Sequence, residues 1–396
     1  MKCRLEDISL KISKGSTPRG KVNYSSDENN FFLRVTDLNE LQHIKTAEYT
    51  LSDDDIKKNK MKIWPPNTVL VSIEGTVGKV AILKKPMSFN QAIAGIIPDE
   101  GKVIPEYLMY YLRQTPTIAS ILKGTIMPAL RLGDLSNIEL DLPDLETQKK
   151  IVHILSAIDD RIESNTQTNR FLVEESQLLF DDYVKNNDLE YRKISSFNPI
   201  LETGKRPSGG IGNIRDGIPS VGAESIKGIG YFDYAKAKYV SVDFFKKMKK
   251  GIVHGYELLI YKDGGKPGYF IPNFSMFGEG FPYEECAINE HVFLLDFNEI
   301  RLNIFAYYFF NSAKTRHRLH VLGSKTAAIP GINQQDILNL EMPLLDHMSK
   351  NTLDLLVLNT KKVLSNSKQN YTLSTIRDTL LPRLVDGAID IDGVTV

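Results

Sequence analysis

The segment "GSTPRGKV" (residues 15–22) falls one residue short of a phosphate-binding loop. Gly15, Gly20 and Lys21 stand where such a loop needs them. Val22, however, occupies the place of the Ser or Thr hydroxyl that reaches magnesium. A second stretch, "GKRPSGG" from Gly204, lacks the pattern as well. "PDEGK" (98–102) loosely resembles a nuclease Glu-x-Lys element but has no acidic partner upstream. "HRLH" (317–320) offers two imidazoles without a third ligand, and reads as the end of a surface helix. Cys3 and Cys286 are too few for a disulfide framework, a zinc ribbon or an iron–sulfur site. No Asn-Pro-Pro-aromatic methyltransferase motif occurs, and "NPI" (198–200) is not one. The chain therefore reads as a binding protein rather than an enzyme, with no metal site and no cofactor of its own.

These fragments belong to a longer internal repeat. "GSTP" (15–18) matches "GKRP" (204–207) at a shift of 189, and "LSDDDIKKNKMK" (51–62) matches "VSVDFFKKMKK" (240–250) at the same shift. "VLVSIEGTVGKVAI" (69–82) matches "LLIYKDGGKPGYFI" (258–271) near 190. "NQAIAGII" (90–97) matches "NEHVFLLD" (289–296) at 199, and "PALRLGDL" (128–135) matches "PGINQQDI" (330–337) at 202. The order never changes and the shift drifts slowly, as it does between two copies with small loop insertions.

Each copy begins with a mixed region. Short β-branched and aromatic runs such as "NTVLVSI", "KVAIL" and "ELLIYK", punctuated by Gly and Pro, predict strands. "IPEYLMYYLRQT" and "IRLNIFAYYFFNS" predict one helix per copy. "YFDYAKAKYV" (231–240) reads as strand packing more than as base stacking. Each copy ends in a long helix. Positions 151, 158, 165, 172, 179 and 155, 162, 169, 176 form a heptad seam, and 356, 363, 370 with 359, 366, 373, 380 repeat it. Pro382 and Gly387 are expected to stop the second helix. Both seams contain Asn-x-x-x-Asn, as Asn165 and Asn169, then Asn366 and Asn370. Asparagine in an apolar seam costs stability unless its amide meets a partner amide across the interface, and then it fixes register. A helix of about 35 residues is about 50 Å long. Paired antiparallel, two such helices make a stiff bar with a similar domain at each end, suited to two half-sites about 15 base pairs apart.

A net charge of zero argues at first against a nucleic-acid partner. Its distribution is uneven. Residues 1–133 carry +5, 134–182 carry −8, 188–335 carry +4 and 336–396 carry −2. Two mildly basic mixed regions alternate with two acidic helical ones. The opening "MKCRLEDISL" has acidic residues where a secretory signal needs an apolar run, and "NIFAYYFF" is too short to span a bilayer, so a cytoplasmic protein is expected.

Donors repeated in both copies are the candidate DNA contacts. Lys14, Ser16, Thr17, Arg19 and Lys21 correspond to Lys205, Arg206 and Ser208 in Gly-rich loops suited to phosphate. Lys57, Lys58, Lys60 and Lys62 correspond to Lys246, Lys247, Lys249 and Lys250. Thr76 and Lys79 correspond to Lys266 and Tyr269 at a hairpin tip, and Thr125 and Arg131 to Ser324 and Lys325. Residues that differ between copies should read bases, which points to Arg34, Arg131, Asn333 and Gln334.

Three stretches, "PDLETQKKIVHILSAIDDRIESN" (143–165), "LLPRLVDGAIDI" (380–391) and "KGSTP" (14–18), carry a family likeness. Through them the whole chain resembles the specificity subunit of a type I restriction-modification system. The resemblance implies two target recognition domains, each reading half of a split site in double-stranded DNA. It also implies two spacer helices that dock two modification (methyltransferase) subunits. S-adenosylmethionine, ATP and magnesium would then belong to the methyltransferase and restriction/translocase partners. The second junction, "MPLLDHMSKNTLDLLVL" (342–358), lacks the Glu-x-Gln element found at 146–148, so an asymmetric partner contact is expected. The expected fold is α+β and pseudo-two-fold. Domain 1–143 is followed by spacer helix 144–186, domain 187–343, and spacer helix with tail 344–396. The competing reading is a coiled-coil adaptor that organises partner subunits without reading DNA.

Overall fold

The computed structural model describes residues 2–19, 30–38, 43–115, 129–208, 210–212, 214–325, 329–391 and 393–394. The chain forms two compact units. Met1–Glu163 with Leu373–Val396 make the first, and Ser164–Thr372 the second.

In the first unit a short ladder pairs Lys2–Arg4 with Glu139–Asp141. The main sheet has the order Ser9–Lys14, Ile93–Pro98, Val69–Ser72, Val80–Leu83, His43–Ile44. Val69–Ser72 is buried on both faces, which is why it reads as a continuous apolar run. Val69 and Val71 pack with Tyr107, Leu108 and Leu112 of the helix Pro105–Gln114. Leu70 packs on the other side with Trp64, Ala81 and Phe89. A small second sheet has the order Tyr49–Thr50, Phe31–Leu33, Ser88–Phe89.

The second unit repeats this plan. Tyr191–Lys193 pairs with Glu341–Pro343. The main sheet runs Ile200–Thr203, Val292–Asp296, Leu258–Tyr261, Phe274–Met276, and the second sheet Tyr239–Val240, Ile218–Val221, Cys286–Ile288, Ile252–Val253. The one parallel pairing of each second sheet recurs, as Phe32 beside Ser88 and as Ser220 beside Ala287. The helices Asp53–Asn59 and Val242–Phe245 both start on a serine cap, Ser52 and Ser241, whose hydroxyls accept from Asp55 and Phe244 N–H.

Three features of the second copy depart from the expectations raised by the sequence. The return strand after Leu258–Tyr261 is Phe274–Met276, not 269–271, because the second hairpin is longer. The second domain contains the helix Ala313–Ser324, and "HRLH" lies inside it rather than at its end; the His320 ring is 2.5 Å from the Phe270 carbonyl oxygen. The stretch 231–240 is mostly a turn and a short 3-10 helix. Phe232 and Tyr234 pack with Tyr283, and Tyr234 stacks on Tyr371 at 3.8 Å, so these rings serve the interior.

The long helices are Leu145–Asn186 and Lys350–Val385. Within the second unit they run antiparallel, because residue numbers rise on one as they fall on the other. Asn165 Nδ2 donates to Asn370 Oδ1 at 2.8 Å and to Gln369 Oε1 at 2.7 Å. Asn366 Nδ2 donates to Asn169 Oδ1 at 2.8 Å, and Asn359 Nδ2 to Ser176 Oγ at 3.2 Å. The repeat exchanges the first two amide pairs, since Asn165 corresponds to Asn366 and Asn169 to Asn370. Pro382 does not stop the second helix, which continues to Val385. The stop is Gly387 at φ 69, where the Ala388 N–H turns back onto the Arg383 carbonyl.

Gln148 of the Glu-x-Gln element is fully buried. Its Oε1 accepts from Ile104 N–H at 2.9 Å and its Nε2 donates to the Pro143 carbonyl at 3.0 Å. This glutamine pins the helix start to its own domain and presents nothing to a partner. At the second junction Ser349 caps the helix instead, accepting from Thr352 N–H at 3.1 Å.

Candidate nucleic-acid interface

In each domain four segments are drawn together, by backbone hydrogen bonds that recur between hairpin, connector and closing segment and by a close glycine crossing at the strap. The strap after the first strand crosses the connector that follows the second sheet. Gly15 N–H donates to the Ile93 carbonyl at 3.0 Å, and Ser16 N–H to Phe89 at 2.9 Å. A Cβ on Gly15 would sit 2.1 Å from the Phe89 oxygen, and one on Gly204 would sit 1.5 Å from the Ile288 oxygen. Only glycine permits this crossing, which explains its recurrence in both straps. The connector then anchors the hairpin. Ile73 N–H donates to Ala92 at 2.8 Å, and Lys262 N–H to His291 at 3.0 Å. The segment before the next short helix closes the patch. Leu130 N–H donates to Ile73 and Ile332 N–H to Lys262, both at 2.9 Å, while Glu74 bridges Ala129 and Asp263 bridges Gly331.

Different side chains stand on this common frame. In the first domain Lys14 Nζ pairs with Glu74 at 2.9 Å, and the Thr17 hydroxyl donates to Gln91 Oε1. In the second, Arg206 Nε pairs with Glu290 Oε1 at 3.2 Å, and His291 Nδ1 lies 2.5 Å from Asp263 Oδ1. A cavity of about 690 Å³ opens here in the second domain, lined by Ala223, Tyr261, Asp263, His291, Ile332 and Asn333 among others.

The structure gathers many of the residues expected from sequence. Lys14, Ser16, Thr17 and Arg19 lie on the first strap, and Lys205, Arg206 and Ser208 on the second. Lys57 and Lys58 occupy the last turn of Asp53–Asn59, and Asn59 Oδ1 accepts from Arg19 N–H at 2.8 Å, so they adjoin that strap. Lys246 and Lys247 directly follow Val242–Phe245. Thr76 and Lys79 lie in the first hairpin loop, and Lys266 bridges Tyr269 at the second tip. Arg131 and Asn333 hold the same N-cap position of Leu132–Ser136 and Gln334–Leu338. Lys21 and Thr125 lie outside the described residues.

Other expected residues have structural work. Arg34 is paired with Glu48 at 2.7 Å and lies 3.8 Å over the Tyr49 ring. Asn333 spends its amide oxygen on the Asp336 N–H, and Gln334 Nε2 donates to the Leu201 carbonyl at 3.1 Å. Ser324 accepts from Phe270 N–H at 3.0 Å at the end of its helix, next to Lys325. Glu74, Gln91, Asp263, Glu290 and His291 stand beside these residues and are not among those expected from sequence, which favoured basic and hydroxyl groups. Their matching places in the repeat were the available signal.

Lys62 also departs from a surface role. Its amine lies 3.4 Å from the Trp64 ring centroid, where burial, then the neighbouring Lys11 amine, pushes its pKa down to about 8. In the unfolded chain a lysine titrates near ~10.4. The unfolded state therefore binds more protons between those values, and stability rises with pH across that window. Lys62→Met is expected to abolish this rise, read as the denaturation midpoint of the first unit at about pH 7.5 and about pH 10.

One donor group with metal-ligand spacing occurs among the described residues. His43, Asp160 and Glu163 bring ligand atoms within 4.8 Å of one another. Lys45 Nζ already closes on Glu163 at 2.6 Å, and burial, then Lys84, lowers the His43 pKa. The cluster is a charge-paired contact between a strand and the long helix, and no metal is assigned to it. No helix among the described residues is long and apolar enough to cross a membrane.

A unit built twice, with one frame and two sets of exposed side chains, defines a duplicated scaffold. The family model described as "Type I restriction modification DNA specificity domain" matches residues 1–172. The MjaIX specificity subunit of Methanocaldococcus jannaschii is 27% identical across 98% of this chain and 93% of that protein. The HindI specificity subunit of Haemophilus influenzae is 36% identical over 46% of this chain and 40% of its own length. The crystal structure of the type I restriction-modification S subunit from M. genitalium shares the fold, with a TM-score of 0.57 at 15% identity, covering 97% of this chain and 95% of that one. Residues 1–172 thus match that family model, and the chain is similar along nearly its whole length to a type I restriction enzyme specificity subunit.

Proposed function

We propose that this chain is the non-catalytic DNA-reading subunit of a type I restriction-modification complex. Each recognition domain reads one half of a split, asymmetric site. The long helices set the spacing and dock methyltransferase subunits, which bring S-adenosylmethionine, while ATP and magnesium act on restriction subunits. The observation that carries this reading is the loop surface built twice on matching hydrogen bonds but filled with different side chains. Phosphate contacts position a protein on DNA, and differing side chains at a fixed place specify bases. Two different fillings imply two different half-sites. Docking on the helices is supported by Phe171 and Leu178, one heptad apart and each 69% exposed, with Leu358 at 63% on the second helix.

The test is a domain exchange in the assembled complex. Replacing residues 1–143 with the corresponding domain of another specificity subunit is expected to change one half of the methylated motif and leave the other half and the spacing intact. A change in both halves would remove the one-domain, one-half correspondence.

A further inference from the structure

We infer that the side-chain pair joining strap to connector is the exchangeable base reader of each domain: Thr17–Gln91 takes adenine, and Arg206–Glu290 takes guanine. This rests on the proposed DNA-reading function and assigns its chemistry. The four positions correspond through the repeat, Thr17 to Arg206 at a shift of 189 and Gln91 to Glu290 at 199. Their backbones are held alike. Asn90 N–H donates to the Leu33 carbonyl at 3.0 Å, and Asn289 N–H to Val221 at 2.9 Å, directly before the pair. The glycine crossings at Gly15 and Gly204 fix the strap two residues before it. The frame is therefore constant and only the presented functional group changes.

The orientation of each pair selects a base. The Thr17 hydroxyl donates to Gln91 Oε1. That bond orients an exposed side-chain amide, whose Nε2 donates no hydrogen bond among the described residues. A glutamine amide offering one donor and one acceptor matches the N7 and N6 edge of adenine. In the second domain Arg206 Nε forms an ion pair with Glu290 Oε1 at 3.2 Å, and that oxygen also lies 3.4 Å from His291 Nε2. An arginine gripped at Nε presents its two terminal amines together, the fork that fits O6 and N7 of guanine. A phosphate contact would not require the partner on the connector to change with the strap residue, whereas a base reader does.

The experiment replaces the native chain in its host with Arg206→Thr/Glu290→Gln, which imports the first domain's pair into the second, and maps the methylated motif. The expected result is one position of the second half-site changing from guanine to adenine, with the first half-site unchanged. Bidentate contacts of this kind discriminate by about 5- to 150-fold, enough to show as a switched base. A second variant, Arg206→Lys, keeps the charge and removes the fork, and is expected to relax that same position. An unchanged motif in both variants, or uniformly weaker methylation at an unchanged motif, overturns the inference while the split-site reading stands. A native chain that yields no split motif removes that reading instead.

Discussion

Asp159→Ala is expected to destabilise the first unit by about 3–5 kcal/mol, among the larger effects of any single substitution. Asp159 is 7% exposed and accepts from two sides. Tyr110 Oη donates to Oδ2 at 2.5 Å, and Arg377 Nη1 to Oδ1 at 2.8 Å. Burial already lowers the pKa of neighbouring Arg113, with the Arg377 charge second. Deleting the carboxylate leaves a guanidinium with 16% side-chain exposure paired, among the described residues, only with the exposed Asp378, and strips Tyr110 Oη of its acceptor. The second unit shows a neutral solution to the same joint. Tyr308 Oη meets Thr360 Oγ1 at 3.0 Å, and the repeat matches Thr360 to Asp159 and Ser176 to Arg377 in sequence. Asp159→Thr/Arg377→Ser should therefore recover much of the loss. Chemical denaturation of the full chain, followed through the transition of the first unit, compares the three proteins.

The second large effect concerns the asparagines of the helix seam. Asn366 is 2% exposed and Asn165 is 4% exposed, so their amides have no water to fall back on. Asn366→Leu strips Asn169 Oδ1 of its donor and should cost about 1–3 kcal/mol, the penalty of an unsatisfied buried polar group. Asn169→Leu/Asn366→Leu removes both halves of the pair and should lie near the native stability or above it. A denaturation cycle over the native chain, both single variants and the double variant reads the coupling. Additive single effects would show that the amides do not hold one another.

The duplication was readable because backbone geometry, more than side-chain chemistry, selects its markers. Gly15 and Gly204 are demanded by a strand crossing, Ser52 and Ser241 by a helix start, and the heptad residues by one buried face. Each is a local requirement that survives in sequence. The return strand at Phe274–Met276 was not readable, because hairpin length is settled by pairing across the sheet rather than by the apolar run at 269–271. Pro382 misleads for a similar reason. A proline withholds only its own N–H; its carbonyl still accepts from the Asp386 N–H at 2.9 Å, and the helix runs on to Val385 before Gly387 turns the chain. At the site, the strap lysines and hydroxyls could be proposed from composition alone. The strap partners Glu74, Gln91 and Glu290 lie 60 to 84 residues away in the chain and meet the strap only through the sheet order.

The most direct measurement is single-molecule methylation mapping of host DNA with the native chain present and with its gene removed. One recurring motif of two unlike halves around a fixed gap, absent when the chain is absent, is the predicted result. A continuous motif, a motif of identical halves, or methylation that persists without the chain would contradict it.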